Sequence, residues 1–555
     1  MLGAAGWPLG ARHARLLAAI VSAAIGCGGG ERAQRVDVAR VARPIAAELR
    51  DHSGLEADAM PGVAPQPSAL VVAPQGVPQG PALSTTRALA WIHERPSLDS
   101  PHLGHLRAGA RLARSATPTP RSSATGTCEG AWWSVEPFGF VCEGHDGVTT
   151  RLDDPTVAAA AERPPDRSAP LPYGYGTSYG APLYVRVPTA AEQARVEGDF
   201  AGKVAAIGAT YAKLDPAKVP PRTALPIGEL PEFLAEHRLA PPVVPWSIGA
   251  QATVAGWAWP SMRLAFTRAF EVDGRPFYLT TEHFIVPADR FRAARLAAFE
   301  GLHLVRPGEP GERLPMTWVR WKPARVFRLD AGRAVETELV LPFQAHAAIA
   351  DRDVTLDGTR YSELLAPPAG APDGARYLVR AEATTRVEPI APEHCPKDLA
   401  PGERWIEVRL AQQVLILYEG TTPIFQTLVS TGVDGAGDPE TTRSTPRGVF
   451  RIHSKHVTWR MAADEHEPWK EGDKPDPRYQ IDDVPWVQYF SGGYALHAAF
   501  WHDSFGEPKS HGCVNLSPRD AQWLFGETLP RLPDGWHGVY GGNGAGPGTL
   551  LIVRN

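Results

Sequence analysis

The stretch "YALHAAFWHDSFGEPKSHGCVNLSPRDAQWLF", residues 494–525, holds two strands, a loop and a helix in thirty-two residues. "GGYALH" reads as a strand ending at His497. "SHGCVNL", residues 510–516, reads as a second extended segment that could lie beside it. Residues two apart on a strand face the same way, so His511, Cys513 and Asn515 are expected to share one side. Gly512 between them has no side chain and lets another backbone or a substrate come close. "SPRDAQWLF" then reads as a helix, with Ser517 as its N-cap, Pro518 in its first turn and Asp520 near its positive end.

Cys513 decides the chemistry. As a metal ligand it would join His497, His502 and His511, but the paired Cys-x-x-Cys of structural zinc sites is missing. As half of a disulfide it would need Cys395 within about 7 Å between Cα atoms, and the bond would silence the thiol. As a nucleophile it needs a base, because a free thiol with a pKa of about 8.5 is mostly protonated at neutral pH. A neighbouring imidazole supplies one, and backbone N–H groups around Gly512 and Cys513 could hold an oxyanion. That set describes acyl transfer with no metal and no organic cofactor.

Working outward, "RWIEVRLAQQVLILYEGTTPIFQTLVSTG" (404–432) alternates as strand, turn, strand, turn, strand, and "STPRGVFRIHSKH" (444–456) adds another turn and strand. Residues 403–554 are therefore expected to be a mainly β unit with one short helix. In this frame the residues quoted so far closely resemble the catalytic domain of the L,D-transpeptidases (YkuD type). The resemblance lies in His497, a spacer, then Ser510-His511-Gly512-Cys513-x-Asn515, preceded by Ser430–Gly432, Thr445–Ile452 and Lys455. It implies a β-sandwich or barrel in which Cys513 is the nucleophile and His497 its general base. It further implies that the carbonyl of Ala498 orients that base, and that Ser510, His511, Gly512 and Asn515 shape the nucleophile and oxyanion site. Many relatives carry Arg at the position of Asn515. The acidic and aromatic stretch 459–493 resembles the family's lid, which makes Trp459, Met461, Tyr479 and Tyr489 candidates to line the cleft or to pack beneath it.

Upstream, residues 84–150 resemble a bacterial SH3-like module, serving as wall binder or spacer. Cys128 and Cys142 bracket "EGAWWSVEPFGFV", a hairpin that a disulfide could cross. Residues 151–244 read as a linker with a helical segment at 189–214, and 245–390 as β-rich, with further SH3-like barrels as one reading. His283 and His346 there read as ordinary residues. At the N-terminus Arg12, His13 and Arg15 precede "LLAAIVSAAIGC", a basic-then-apolar leader too short for the roughly 20 residues a membrane span needs. Its end resembles a lipobox. Residues 1–27 are thus expected to be a lipoprotein-type signal with Cys27 lipidated, and the Pro- and Ala-rich residues 28–83 a disordered tether.

With 56 basic and 61 acidic residues, the chain has no electrostatic footprint for nucleic acid. The expected protein is a multidomain, mainly β, periplasmic enzyme anchored to the outer membrane by lipid. It would form an acyl-enzyme on a peptidoglycan stem tetrapeptide and pass it to an amine, giving a 3→3 cross-link. The alternatives are transfer to water or to a protein, hydrolysis of an existing link, or an inactive wall-binding scaffold.

Overall fold

A computed structural model describes residues 80–555, apart from 121–127, most of 199–222, 245–251, 307–308, 463–479 and 543–544. The leader, Cys27, nearly all of the tether, the far part of the 189–214 segment and Tyr479 lie outside the described residues.

The C-terminal unit is two sheets around one core. Its strands are β1 (Arg404–Arg409), β2 (Val414–Glu419), β3 (Thr422–Leu428), β4 (Gly448–Arg451), β5 (Ser454–Ala462), β6 (Gln480–Ser491), β7 (Tyr494–Ala498), β8 (Val514–Leu516), β9 (Gly538–Tyr540) and β10 (Leu550–Arg554). Helix α1 (Pro518–Glu527) follows β8. One sheet runs β3-β2-β1-β10-β4, with β1 and β10 parallel. The other joins β9 to β5, β5 to β6, β6 to β7 and, in parallel, β7 to β8. Ile406, Val408, Leu415, Leu417, Trp486, Leu496, Val514 and Leu524 pack between them.

The "VLILY" run of β2 is buried along both faces, as a central strand covered on two sides must be. Leu415 and Leu417 face the sandwich core. Val414, Ile416 and Tyr418 face a second cluster with Trp318 and Val387, which belong to the upstream residues 316–387. Helix α1 starts where the cap chemistry says it should, with Asp520 N–H donating to Ser517 Oγ at 3.2 Å.

The upstream residues do not hang off this unit as separate beads. Strand His102–Leu106 pairs with β9, through Gly104 with Val539 and His105 with Gly538. Cys128 and Cys142 are joined by a disulfide with Cα atoms 5.8 Å apart. The segment expected to be a linker supplies strands Gly174–Ser178 and Ala181–Tyr184, which pair with Arg263–Val272 and Val254–Ala258. "PYGYGTSYGAPLY" hides these strands because its glycines and prolines mask the alternation. Helix Ala190–Glu197 carries a full capping box from Thr189 and Glu192. Among the described residues the sheets stay open; the strand at 102–106 pairs into the C-terminal unit, whereas residues 324–380 form a five-stranded sheet of their own.

One carboxylate ties three of these regions together. Asp483 on β6 is buried, and its side chain accepts from Arg107 at 2.8 Å, Thr281 at 2.6 Å and Thr458 at 2.6 Å. Tyr175 donates to its backbone carbonyl at 2.9 Å. Thr458 spends its one proton on Asp483, so His537 Nε2, 2.9 Å from the same hydroxyl, is the protonated ring nitrogen. Asp483→Ala removes the carboxylate paired with the mostly buried Arg107, and is expected to lower unfolding stability by about 3 kcal/mol. Denaturant titration checks this; a midpoint equal to wild type would show that the ion pair does not hold the junction.

Candidate active site

The site is built where β7 and β8 run in parallel. His497 on β7 stands opposite Asn515 on β8, and Cys513 is the residue just before β8 begins. The 510–513 turn is pinned from below by the segment after β3. Ser430 and Asn515 exchange backbone hydrogen bonds at 2.9 Å, and Ser510 N–H donates to the Thr431 carbonyl at 3.1 Å. Gly432 N–H donates to Thr445 Oγ1 at 3.0 Å, which draws the "STPRG" stretch to the same place. Ser510 acts inside the turn: its hydroxyl donates to the Cys513 carbonyl at 2.5 Å and accepts from Gly512 N–H at 3.0 Å. Gly512 has φ +126°, and a Cβ there would sit 2.4 Å from the Tyr494 ring, so the position admits glycine only.

That turn corrects the expected shared face. Strand geometry begins at Val514, so residues 511–513 do not alternate. His511 is exposed, and its charge is felt by Asp434 in the neighbouring loop. Asn515 is 2 % exposed and donates its side-chain amide to His502 Nε2 at 3.1 Å. Cys513 is half-buried against the apolar cluster of Tyr175, Met461, Ile481, Tyr489 and Phe500. Met461 and Tyr489 are buried members of the cluster against which Cys513 packs. Trp459 borders that cluster, with its ring 4.4 Å from His456 and 5.3 Å from His105. Lys455 is buried and donates to the carbonyls of Phe525 at 2.6 Å and Thr528 at 2.9 Å, closing the end of α1.

The electrostatics favour neutral forms. Burial pushes the Cys513 thiol up to about 11, only partly offset by the Ala495 backbone N–H. Burial holds His497 down at about 4. Its Nδ1 lies 3.1 Å from the Ala498 carbonyl, which accepts only, so Nδ1 carries the proton and Nε2 is the basic nitrogen. His502 is also held at about 4, first by burial and then by the charges of Lys509, His497 and Arg263. Cys395 and Cys513 are both free thiols. Among the described residues no group of three His, Cys, Asp or Glu side chains is placed to hold a metal ion. Nor, among them, is any helix long and apolar enough to cross a membrane.

Sequence reading missed what surrounds the motif. His502 was weighed only as a metal ligand, yet it anchors Asn515. Trp501 lies with its ring 5.8 Å from that of His497. Arg320, far upstream, donates to the carbonyls of Gly506 and Ala411, each at 2.7 Å, and Gln344 donates to the Asp503 carbonyl at 2.7 Å. These two side chains clamp the loop that carries His502 toward Cys513. No local pattern marks them, because their partners in this loop lie 186 and 159 residues away in the chain.

Residues 403–549 match the family described as the L,D-transpeptidase catalytic domain (YkuD). A curated relative, the putative L,D-transpeptidase YciB of Bacillus subtilis, is 25% identical over 144 residues, which are 24% of this chain and 64% of that protein. This chain therefore spans less than two thirds of that relative. Among solved structures, the L,D-transpeptidase of Enterococcus faecium is 21% identical, over 27% of this chain and 50% of that one, with a TM-score of 0.19. The L,D-transpeptidase from Mycobacterium smegmatis is 16% identical, over 38% of this chain and 98% of that one, with a TM-score of 0.20. Scores this low carry no structural argument. The family match falls on the two-sheet unit that holds Cys513 and His497, so residues 403–549 are similar to the L,D-transpeptidase catalytic domain.

Proposed function

We propose that the protein is an exported cysteine acyltransferase acting on peptidoglycan stem peptides. The observation that carries this reading is the pairing of strands β7 and β8, which sets His497, with Nε2 as its basic nitrogen, beside the turn bearing Cys513. With the thiol raised and the imidazole lowered, the resting pair is neutral. Deprotonation then accompanies attack. The Cys513 proton moves to His497 Nε2 as the S–C bond forms on the carbonyl before the terminal D-alanine. The C–N bond breaks, and the same proton leaves on the alanine amine. The thioester is resolved by an amine of a second stem, which forms the 3→3 amide and frees the thiol. Water as acceptor gives a carboxypeptidase instead, and an amine on a protein gives anchoring.

Gly512 N–H is taken by Ser510, so in this reading the oxyanion is met by the Cys513 N–H rather than by Gly512. The disulfide between Cys128 and Cys142 supports an oxidising compartment, as expected for a wall enzyme. Lipidation of Cys27 and outer-membrane anchoring belong to this same reading.

The test uses the chain with a disaccharide-tetrapeptide donor and, separately, a carbapenem. The expected result is a mass adduct on the peptide containing Cys513, together with tripeptide or dimer products. A chain that forms no adduct and turns over no donor sinks the reading and leaves a wall-binding scaffold.

A further inference from the structure

The described residues begin at Gly80, and the register of the first strand says which way the chain before it runs. Strand Ala82–Thr85 pairs antiparallel with Leu112–Ala113, Leu83 opposite Leu112 and Ala82 opposite Ala113. The ladder continues one step further, with Arg114 N–H donating to the Pro81 carbonyl at 3.0 Å. Followed toward the N-terminus, the chain therefore runs alongside Arg114 and on toward Ser115. Those two residues are held on their other side by a hairpin. Arg114 bridges to Val135, and Ser115 N–H donates to the Ser134 carbonyl at 2.9 Å.

A cleft of about 470 Å³ opens beside these residues. Besides Arg114, Ser115 and Ser134 it is lined by Pro137, Phe138 and Phe140. Both rings are half-buried and backed by neighbours. Phe138 packs edge-on against Trp536 at 5.3 Å, and Phe140 packs against the cluster of Cys128, Trp132 and Cys142. A groove with a proline and two aromatic rings is of the kind that takes a polyproline II segment, whose prolines fit against rings at little entropic cost. Glu94 and Glu136 also line the cleft and disfavour an anionic occupant. The chain that the register brings alongside, residues 61–79, reads PGVAPQPSALVVAPQGVPQ, with five prolines and no charged side chain.

We propose that this cleft is the docking site of the chain's own Pro-rich segment, residues 61–79, laid in polyproline II form across Phe138 and Phe140. The docking does not rest on the acyltransferase reading. Its consequence concerns reach. With Cys27 as the anchor, the distance between membrane and enzyme is set by the residues before the docked segment and not by all of 28–83.

The experiment is hydroxyl-radical footprinting of the whole chain, read residue by residue by mass spectrometry. Wild type is compared with a variant whose residues 61–79 are replaced by Gly and Ser at equal length, and with Phe138→Ser. A segment joined directly to the cleft's own strand has an effective concentration of about 1 mM, so even a contact with a Kd of about 0.1 mM covers the rings about nine-tenths of the time. Phe138 and Phe140 are therefore expected to label up to about tenfold faster in the Gly/Ser variant than in wild type. Trp259, exposed on another hairpin, should label equally in both and serves as the control. Phe138→Ser should speed the labelling of Leu70, Val71 and Val72. Equal labelling of both rings in wild type and the Gly/Ser variant overturns the docking. Protection that grows with protein concentration assigns the cleft to a second copy of the chain. Protection by added stem tripeptide, as strong in wild type as in the Gly/Ser variant, assigns it to a wall peptide. Either of these results also overturns the proposal.

Discussion

Replacing Cys513 with alanine is expected to reduce acyl transfer by at least about 10,000-fold and leave the fold standing. The loss is large because no other described side chain of the site can form the covalent intermediate. The fold survives because the thiol is a half-buried neighbour of an apolar cluster, not a member of its interior. A companion measurement reads the electrostatics. Alkylation follows the thiolate, so with the thiol at about 11 the rate should keep climbing through pH 9 and level only near 11. Acylation by a bound donor should not follow that curve, because His497 takes the proton during attack. If alkylation levels near pH 8 or below, the site holds a standing thiolate and the neutral-pair mechanism is wrong.

Acid should unfold this protein early. Burial holds His93, His283 and His497 at about 4 and His105 at about 3, while His456 and His537 are driven well below 6.5. In the unfolded chain these groups take a proton as pH falls through 6.5, and in the native protein they do not. Their contribution to stability is complete above 6.5 and is lost as pH drops from there toward about 4. One such histidine shifted by two and a half units represents roughly 3 kcal/mol at the low end. Two of them approach the roughly 5–15 kcal/mol that holds a typical domain together. Glu282 at about 7, Asp520 at about 6 and Asp482, all raised by burial, run the other way, but they are three groups against eight once His453 and His502, also held down by burial, are counted. Calorimetry across pH should show Tm flat near neutrality and falling steeply below about 6.5. A Tm unchanged down to about pH 4.5 would mean that these histidines are solvated.

The candidate site was legible as a cluster because its residues are local. His497 and the Ser510–Asn515 run sit within one strand–loop–strand segment, and the Ser517 cap announces the helix behind it. What failed was the assumption of unbroken strand alternation, because the positive φ of Gly512 turns His511 outward. The rest lies in long-range pairings. His105 Nε2 meets His456 Nδ1 at 2.9 Å across 351 residues of sequence, and no window of sequence contains both. Arg320 is unremarkable in its own segment, and only the packing of the upstream residues brings it to the loop before Cys513. The strands at 174–184 were missed for a different reason: glycine erased the periodicity that would have marked them.

The pairing of His102–Leu106 with β9 and of Arg263 with β6 bears on how this chain can be taken apart. A fragment cut to the family-matched residues 403–549 would expose a raw strand edge on Gly538–Tyr540. It would also lose three donors to Asp483 from outside, Arg107 and Thr281 to its side chain and Tyr175 to its carbonyl. It would further shed Leu550–Arg554, the strand that separates β1 from β4. The unit that recurs across the family is here no longer a spare part: its neighbours have become its walls.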